Sequence, residues 1–201
     1  MKRKENEGGK KVFDVLAPVY DDLRKIIESG ELVELEDIIQ KEDQEPLNVL
    51  DVGGGTGNHV KSIFESKENV DYHLLDKSTS MIDVAEYPKF IVKGDALNLP
   101  YQDETFDYVF CIDAIHHFKD RYKALKEMKR VVKYRGQIII VDLDPNSMIT
   151  KFISLAEKAL GEPGLFFEIH ELRELFKEDY EIRLKKLKGY IYFFQAVKLC
   201  C

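Results

Sequence analysis

The chain lacks what an anionic polymer would look for. Its 201 residues carry 30 lysines and arginines against 37 aspartates and glutamates, a formal net charge of −7. That balance leaves no global footprint for nucleic acid or an anionic membrane surface, so nucleic acid is not expected as a partner. Cysteine is scarce, limited to Cys111, Cys200 and Cys201. An odd number, with no CxxC pair and no repeated His/Cys spacing, indicates neither a disulfide framework nor a zinc site. No metal ligand is therefore assigned from sequence, and a reducing cytoplasm is the natural compartment. No apolar run approaches the roughly 20 residues that cross a bilayer. The charged start, Met1 to Lys11, has no apolar stretch behind it, so no signal peptide is visible.

With 44% hydrophobic and 33% charged residues, the composition is that of a solvated globular domain with a proper core. Residues 1–10 read as a disordered charged tail. Residues 11–201 read as one domain, in which a helical cap over 11–45 precedes a core over 46–201. In the cap, Val12, Val15, Leu16 and Val19, then Leu32, Leu35, Ile38 and Ile39, fall at helical spacing on either side of Gly30. Monomer and homodimer both stay open.

From residue 46 the rhythm changes. Short apolar runs at Asn48–Val52, Tyr72–Leu75, Lys89–Lys93, Phe106–Ile112 and Gln137–Leu143 alternate with helical stretches near Asn58–Glu65, Ser80–Tyr87, Arg121–Val131 and Ser147–Leu160. Continuous apolar runs suit strands buried on both faces, and parallel strands need helical crossovers. The expectation is an open, doubly wound α/β sheet. A helix at Ile169–Phe176 then leads to two runs, Tyr180–Leu187 and Tyr190–Lys198, joined through Gly189. This predicts an antiparallel hairpin at the sheet edge and seven strands in all.

The most informative segment is Asn48 to Asn58, where an apolar run ends in Asp51 and glycines stand at 53, 55 and 57. A strand-to-helix turn stripped of side chains seats a nucleotide-like cofactor against bare backbone. A dinucleotide fingerprint requires G-x-G-x-x-G, but Asn58 or Val60 occupies the third glycine's place. Asp51 would also repel a pyrophosphate. The same carboxylate suits S-adenosylmethionine, whose amino-acid end is cationic and which has no phosphate. Two further acids, Asp76 and Asp95, close the next two runs. They form a line across the crevice where such sheets bind ligands, one placed for ribose hydroxyls and the other for an adenine amine. Ser78 and Thr79 are expected to cap the helix after Asp76.

Taken in order, Asp51–Gly57, Asp76-Lys77-Ser78-Thr79-Ser80-Met81, Gly94–Tyr101, Phe106–Val109 and Ala114-Ile115-His116-His117-Phe118 resemble the class I S-adenosylmethionine-dependent methyltransferases. The branch they are most similar to is that of small-molecule enzymes related to quinone biosynthesis. Phe13 to Asp21 is similar to that branch's N-terminal signature, although Asp22-Leu23-Arg24 follows where those enzymes continue to an asparagine. The resemblance implies a Rossmann-like core and SN2 transfer of a methyl group to a small, partly apolar acceptor, leaving S-adenosylhomocysteine. It implies that Tyr20 closes over the cofactor, that Gly53 and Gly55 approach its methionine moiety, and that Asp51 lies near the ammonium. Asp76 would hold the ribose, Lys77 and Met81 would cover the adenine, and Asp95 and Ala96 would read its edge. Cys111 and Ile112 would offer carbonyls to the ammonium, and Asn58 and His117 complete the expected cofactor shell.

His116 is the candidate general base, expected to face the acceptor while His117 packs inward. Phe166 and Phe167 are expected to wall the acceptor space, and His170 is a further candidate for its lining. The rival readings are a protein that binds S-adenosylmethionine without turnover and an NAD-dependent oxidoreductase.

Overall fold

The computed structural model describes residues 46–64, 69–83, 85, 89–159, 161–187 and 189–199. The tail, the helical cap with Tyr20, and Cys200-Cys201 lie outside the described residues. Within them, seven strands make one sheet: β1 (Leu47–Val52), β2 (Val70–Asp76), β3 (Phe90–Lys93), β4 (Phe106–Ile112), β5 (Val132–Leu143), β6 (Tyr180–Leu187) and β7 (Ile191–Lys198). Their order is β3-β2-β1-β4-β5-β7-β6. Strands β1 to β5 pair in parallel, while β7 runs antiparallel to both β5 and β6. The expected C-terminal hairpin is present, with its second strand inserted inside its first. That insertion explains the residues: β7 is buried over Ile191–Ala196, whereas edge strand β6 exposes Lys185 and Lys186.

Alternate residues of each central strand feed two separate cores, one on each face of the sheet. Val49, Leu74, Tyr108, Phe110, Ile139 and Val141 belong to one, and Leu50, Leu75, Val109, Cys111, Ile138 and Ile140 to the other. Both faces are thus buried, which is why these strands read as unbroken apolar runs. Helix α1 (Asn58–Phe64) follows the glycine turn, and α2 (Thr79–Ile82) follows β2 as a single turn. Helix α3 (Arg121–Val131) buries Ala124, Leu125, Met128 and Val131 along one face, and Asp120 caps it by accepting from the Lys123 amide at 2.9 Å. Helices α4 (Met148–Ala159) and α5 (Ile169–Phe176) complete the set among the described residues. None of these helices is long and apolar enough to cross a membrane.

Strand β5 departs from expectation at its start, running from Val132 directly after α3 rather than from Gln137. Phe106 pairs with Val132, and the register shifts before Tyr108 meets Gln137. Arg135 has a φ of 61°, and a Cβ on the buried Gly136 would come within 2.8 Å of Val132 and 3.0 Å of the Asp107 carbonyl. A glycine at this irregularity lets the strand continue through it.

The strand order reverses between β1 and β4, since β2 lies on one side of β1 and β4 on the other. Ligands of open α/β sheets bind at the carboxyl ends of the strands beside such a reversal.

Candidate functional site

A cavity of about 840 Å³ opens there. Its wall includes the glycine turn after β1, Asp76 and Lys77 after β2, Gly94–Leu97 after β3, and Ile112–Ala114 after β4. The size suits a nucleoside-sized ligand with space to spare for a second molecule.

The turn is made by backbone. Gly53 and Gly54 both direct their amides at the Leu75 carbonyl, at 2.7 and 3.3 Å, which pins the turn to β2. Gly53 has a φ of 73°, and a Cβ there would stand 2.8 Å from the Ala114 side chain. A Cβ on Gly54 would overlap the Asp51 carboxylate beneath it. Above Gly55 nothing lies within 4 Å of an added Cβ, so this glycine faces open cavity.

Asp76 ties the turn to the next element. One oxygen accepts from the Gly55 amide at 2.9 Å and the other from the Ser78 amide at 2.7 Å. Ser78 occupies the N-cap of α2, but its side chain makes no capping bond. Ser78 thus takes the expected cap position without the expected cap bond, its hydroxyl lying instead 3.0 Å from that of Ser80. Asp95 accepts from the Leu97 amide at 3.0 Å and from Lys77 Nζ at 3.1 Å. The Leu97 bond first, with Lys77 helping, holds its carboxyl below the usual carboxylate range.

Asp51, expected near the cofactor's ammonium, lies beneath the glycine turn. It is 1% exposed, does not line the cavity, and accepts a 2.8 Å bond from the Tyr72 hydroxyl. Burial pushes its pKa up to about 7, the Tyr72 bond opposing and the Asp76 charge adding to the rise. Its second oxygen is buried without a hydrogen-bond partner. Of the other expected cofactor residues, Gly53, Gly55, Asp76, Lys77, Met81, Asp95, Ala96, Ile112 and His117 line the cavity. Asn58 and Cys111 do not: Asn58 is exposed on α1, and the Cys111 side chain is buried in one of the cores.

The histidine pair is reversed from expectation. His117 faces the cavity, while His116 is fully buried behind it. The three-residue 3₁₀ turn Ile115–His117 sets this direction, and Asp142 at the end of β5 holds it. His116 Nδ1 lies 2.8 and 3.0 Å from the two Asp142 oxygens, and its ring stacks on Phe166 at 4.4 Å. Burial alone would lower the His116 pKa, but Asp142, Glu157 and Asp113 together hold it well above the usual value. His117 is pushed down to about 4, by burial first and by neighbouring His116 second.

Phe166 and Phe167 are buried and absent from the cavity wall, correcting their expected role. They belong to the segment from Gly161 to Glu168, which Arg121 ties to α3 by donating to the Leu165 and Phe166 carbonyls. His170 also stays away from the cavity, exposed on α5 with Glu168 beside it at 3.0 Å.

Sequence reading missed Thr56, His59, Asp113, Phe118, Lys119 and Glu162, all on the cavity wall. Asp113 is the most telling, with a φ of 52° and one buried oxygen that has no hydrogen-bond partner. Burial lifts its pKa to about 8, His116 opposing and Asp142 adding. Its position straight after a strand end was the available signal. Glu162 had none, because it arrives from a distant segment.

Comparison with known proteins agrees with this geometry. Residues 50–140 match the family described as "Methyltransferase domain". The chain is 34% identical over 146 residues to demethylmenaquinone methyltransferase of Thermotoga maritima, a match covering 67% of this chain and 61% of that protein. It thus spans under two thirds of that relative's length. Among solved structures, a Haloferax volcanii methyltransferase in complex with the Trm112 activator superposes with a TM-score of 0.72 at 15% identity, covering 98% of this chain and 100% of that one. Phosphoethanolamine N-methyltransferase 2 of Haemonchus contortus, in complex with S-adenosylmethionine, gives 0.68 at 17% identity over 85% of this chain and 53% of that one. With the strand order, the glycine turn and the acidic strand ends already in place, residues 50–140 match a methyltransferase domain, and the chain is similar to the class I S-adenosylmethionine-dependent methyltransferases, among them those of quinone biosynthesis.

Proposed function

We propose that the chain transfers a methyl group from S-adenosylmethionine to a small, partly apolar acceptor of the quinol type, leaving S-adenosylhomocysteine. The reading rests on one observation. One cavity is walled by the glycine turn, by Asp76 and Asp95 beyond β2 and β3, and by Asp113, Ala114, His117 and Phe118 beyond β4. The residues fit this cofactor: the bare Gly55 backbone leaves room for it, and the strand-end wall carries carboxylates where a pyrophosphate would need donors.

In this reading Asp76 keeps lone pairs for ribose hydroxyls beyond its two backbone bonds, and Asp95 with Ala96 borders the adenine. Asp51 acts from beneath the turn, shaping it. When bound, the cofactor supplies a methyl group already activated by the sulfonium. The protein's own share is then orientation and exclusion of water, with the acceptor held in line. Phe118 and Ala114 offer it an apolar surface. His117, kept neutral by burial, borders the space an acceptor hydroxyl would occupy. The quinol class comes from the relative named for demethylmenaquinone, and the cytoplasm remains the proposed compartment.

Calorimetry with S-adenosylmethionine and S-adenosylhomocysteine, followed by transfer of labelled methyl to a panel of hydroquinones, tests the proposal. Both ligands should bind, and Asp76→Ala should weaken them by roughly 1.5–3 kcal/mol, the worth of a hydrogen bond to a charged group. Stabilisation by NAD and not by S-adenosylmethionine would overturn the reading. Binding with no labelled product from any acceptor would instead leave a cofactor-binding module.

A further inference from the structure

Charged and imidazole groups crowd the inner end of the cavity beyond what methyl transfer requires. His116 and Glu157 are both buried, and Asp142 is fully so. Buried ionisable groups cost several kcal/mol each in an apolar setting, of order, unless something compensates them. Asp142 is matched with His116 Nδ1, yet His116 Nε2 is buried without a hydrogen-bond partner. The nearest carboxylate oxygen, Glu157 Oε1, lies 3.6 Å from it, too far for a hydrogen bond. Two ligands of one tetrahedral zinc, each at about 2.0–2.1 Å, stand roughly 3.4 Å apart. The separation therefore matches a shared cation better than a shared proton. One donor atom from each of His116, His117 and Glu157 lies within 4.8 Å of the other two.

We propose that His116, His117 and Glu157 form a binding site for a divalent transition metal at the wall of the cavity. Two imidazoles and one carboxylate are a donor set that such ions accept, with a coordination position left open. Asp142 has the outer position that metal-binding histidines commonly have filled, since its carboxylate accepts the Nδ1–H hydrogen bond and leaves Nε2 for the ion. Gly164 keeps the far side compact, because a Cβ there would approach Glu157 Oε2 at 3.1 Å. Loop 161–168 is drawn in by the Leu165 amide, which donates to the His116 carbonyl at 3.1 Å, and by Ser154 Oγ, which donates to the Gly164 carbonyl at 2.9 Å. His117 also lines the cavity, so the ion borders the space an acceptor enters. A cation there would lower the pKa of an acceptor hydroxyl, a task that buried His116 cannot perform by contact. The consequence for acceptor chemistry rests on the methyl-transfer reading; the metal site itself does not.

The test reads metal directly, on the full chain carrying Cys200→Ser and Cys201→Ser so that those thiols do not compete. After treatment with chelator, Zn²⁺ is titrated by calorimetry, and Co²⁺ is followed through its visible absorption. One ion per chain is expected, with the intense band of four-coordinate cobalt. Loss of an outer-shell partner already costs about 10–100-fold in affinity. His117→Gln and Glu157→Gln should therefore each weaken zinc binding at least tenfold, while exposed His170→Gln leaves it unchanged. If Glu157→Gln does not fold, the partly exposed His117→Gln decides alone. No saturable binding, or binding that ignores these substitutions, overturns the site and leaves an imidazolium held between Asp142 and Glu157. Because S-adenosylmethionine is absent from the titration, failure here is separable from failure of the methyltransferase reading.

Discussion

Two parts of the cavity wall solve the same problem in different ways. At the glycine end, between β1 and β3, carboxylates face the cavity and are steadied by amides: Asp76 by Gly55 and Ser78, Asp95 by Leu97. At the histidine end, Asp113 and Glu162 stand on the cavity wall, but Asp142 is withdrawn behind it and answered by an imidazole, His116. Amide donors are fixed by the main chain and need only the right residue at a strand end. An imidazole partner must be delivered by another element and held by packing. The first end is consequently robust to changes elsewhere in the chain, and the second depends on several elements at once.

That contrast predicts where the molecule is fragile. Asp142→Asn should have the largest effect, because removing one member of a buried charged pair costs about 3–5 kcal/mol. Urea unfolding should show this as a lower midpoint with an unchanged slope; a loss under 1 kcal/mol would mean that the His116 contact is not a coupled pair. Next comes Gly54→Ala, whose added Cβ overlaps Asp51. Overpacking of this kind costs about 1–3 kcal/mol. The effect should be read mainly as weakened S-adenosylmethionine binding in calorimetry, and wild-type affinity would mean that the turn yields easily.

The pH-dependent effect is the most diagnostic. Asp51 has a pKa raised from 3.8 to about 7, so the folded state holds this proton more tightly than the unfolded chain does. Its contribution to stability is full below pH 4 and lost as pH rises to about 7, opposite to an ordinary ion-paired carboxylate. One such group gives a slope of at most about 1.4 kcal/mol per pH unit. Asp51→Asn should remove that slope and make the variant the more stable protein at pH 8. Parallel pH profiles for the two proteins would refute the assignment.

Legibility followed the same divide. The glycine turn and the strand-end acids could be read because each depends on residues adjacent in the chain and on a repeated strand-helix rhythm. The sheet was legible for a related reason, since strands with both faces buried must be apolar throughout. The His116–His117 pair was legible as a pair but not as a direction. Two successive residues on a 3₁₀ turn point different ways, and the choice between them belongs to Asp142 and Phe166. Phe166 and Phe167 misled for the same reason, since aromatic residues near a site can equally well form its foundation. Strand β5 began five residues early because Gly136 permits a bulge that its local sequence does not announce.

The order of residues alone determined the alternating strands and helices, the bare-backbone turn and the acids that end three successive strands. These follow from side-chain periodicity and from what glycine permits, both local properties. Only the tertiary structure decided that Asp51 lies beneath the turn, that His117 and Asp113 reach the cavity while His116 does not, and that Glu157 meets the histidines. Those outcomes depend on which groups lose water together, and burial is settled by the packing of distant segments.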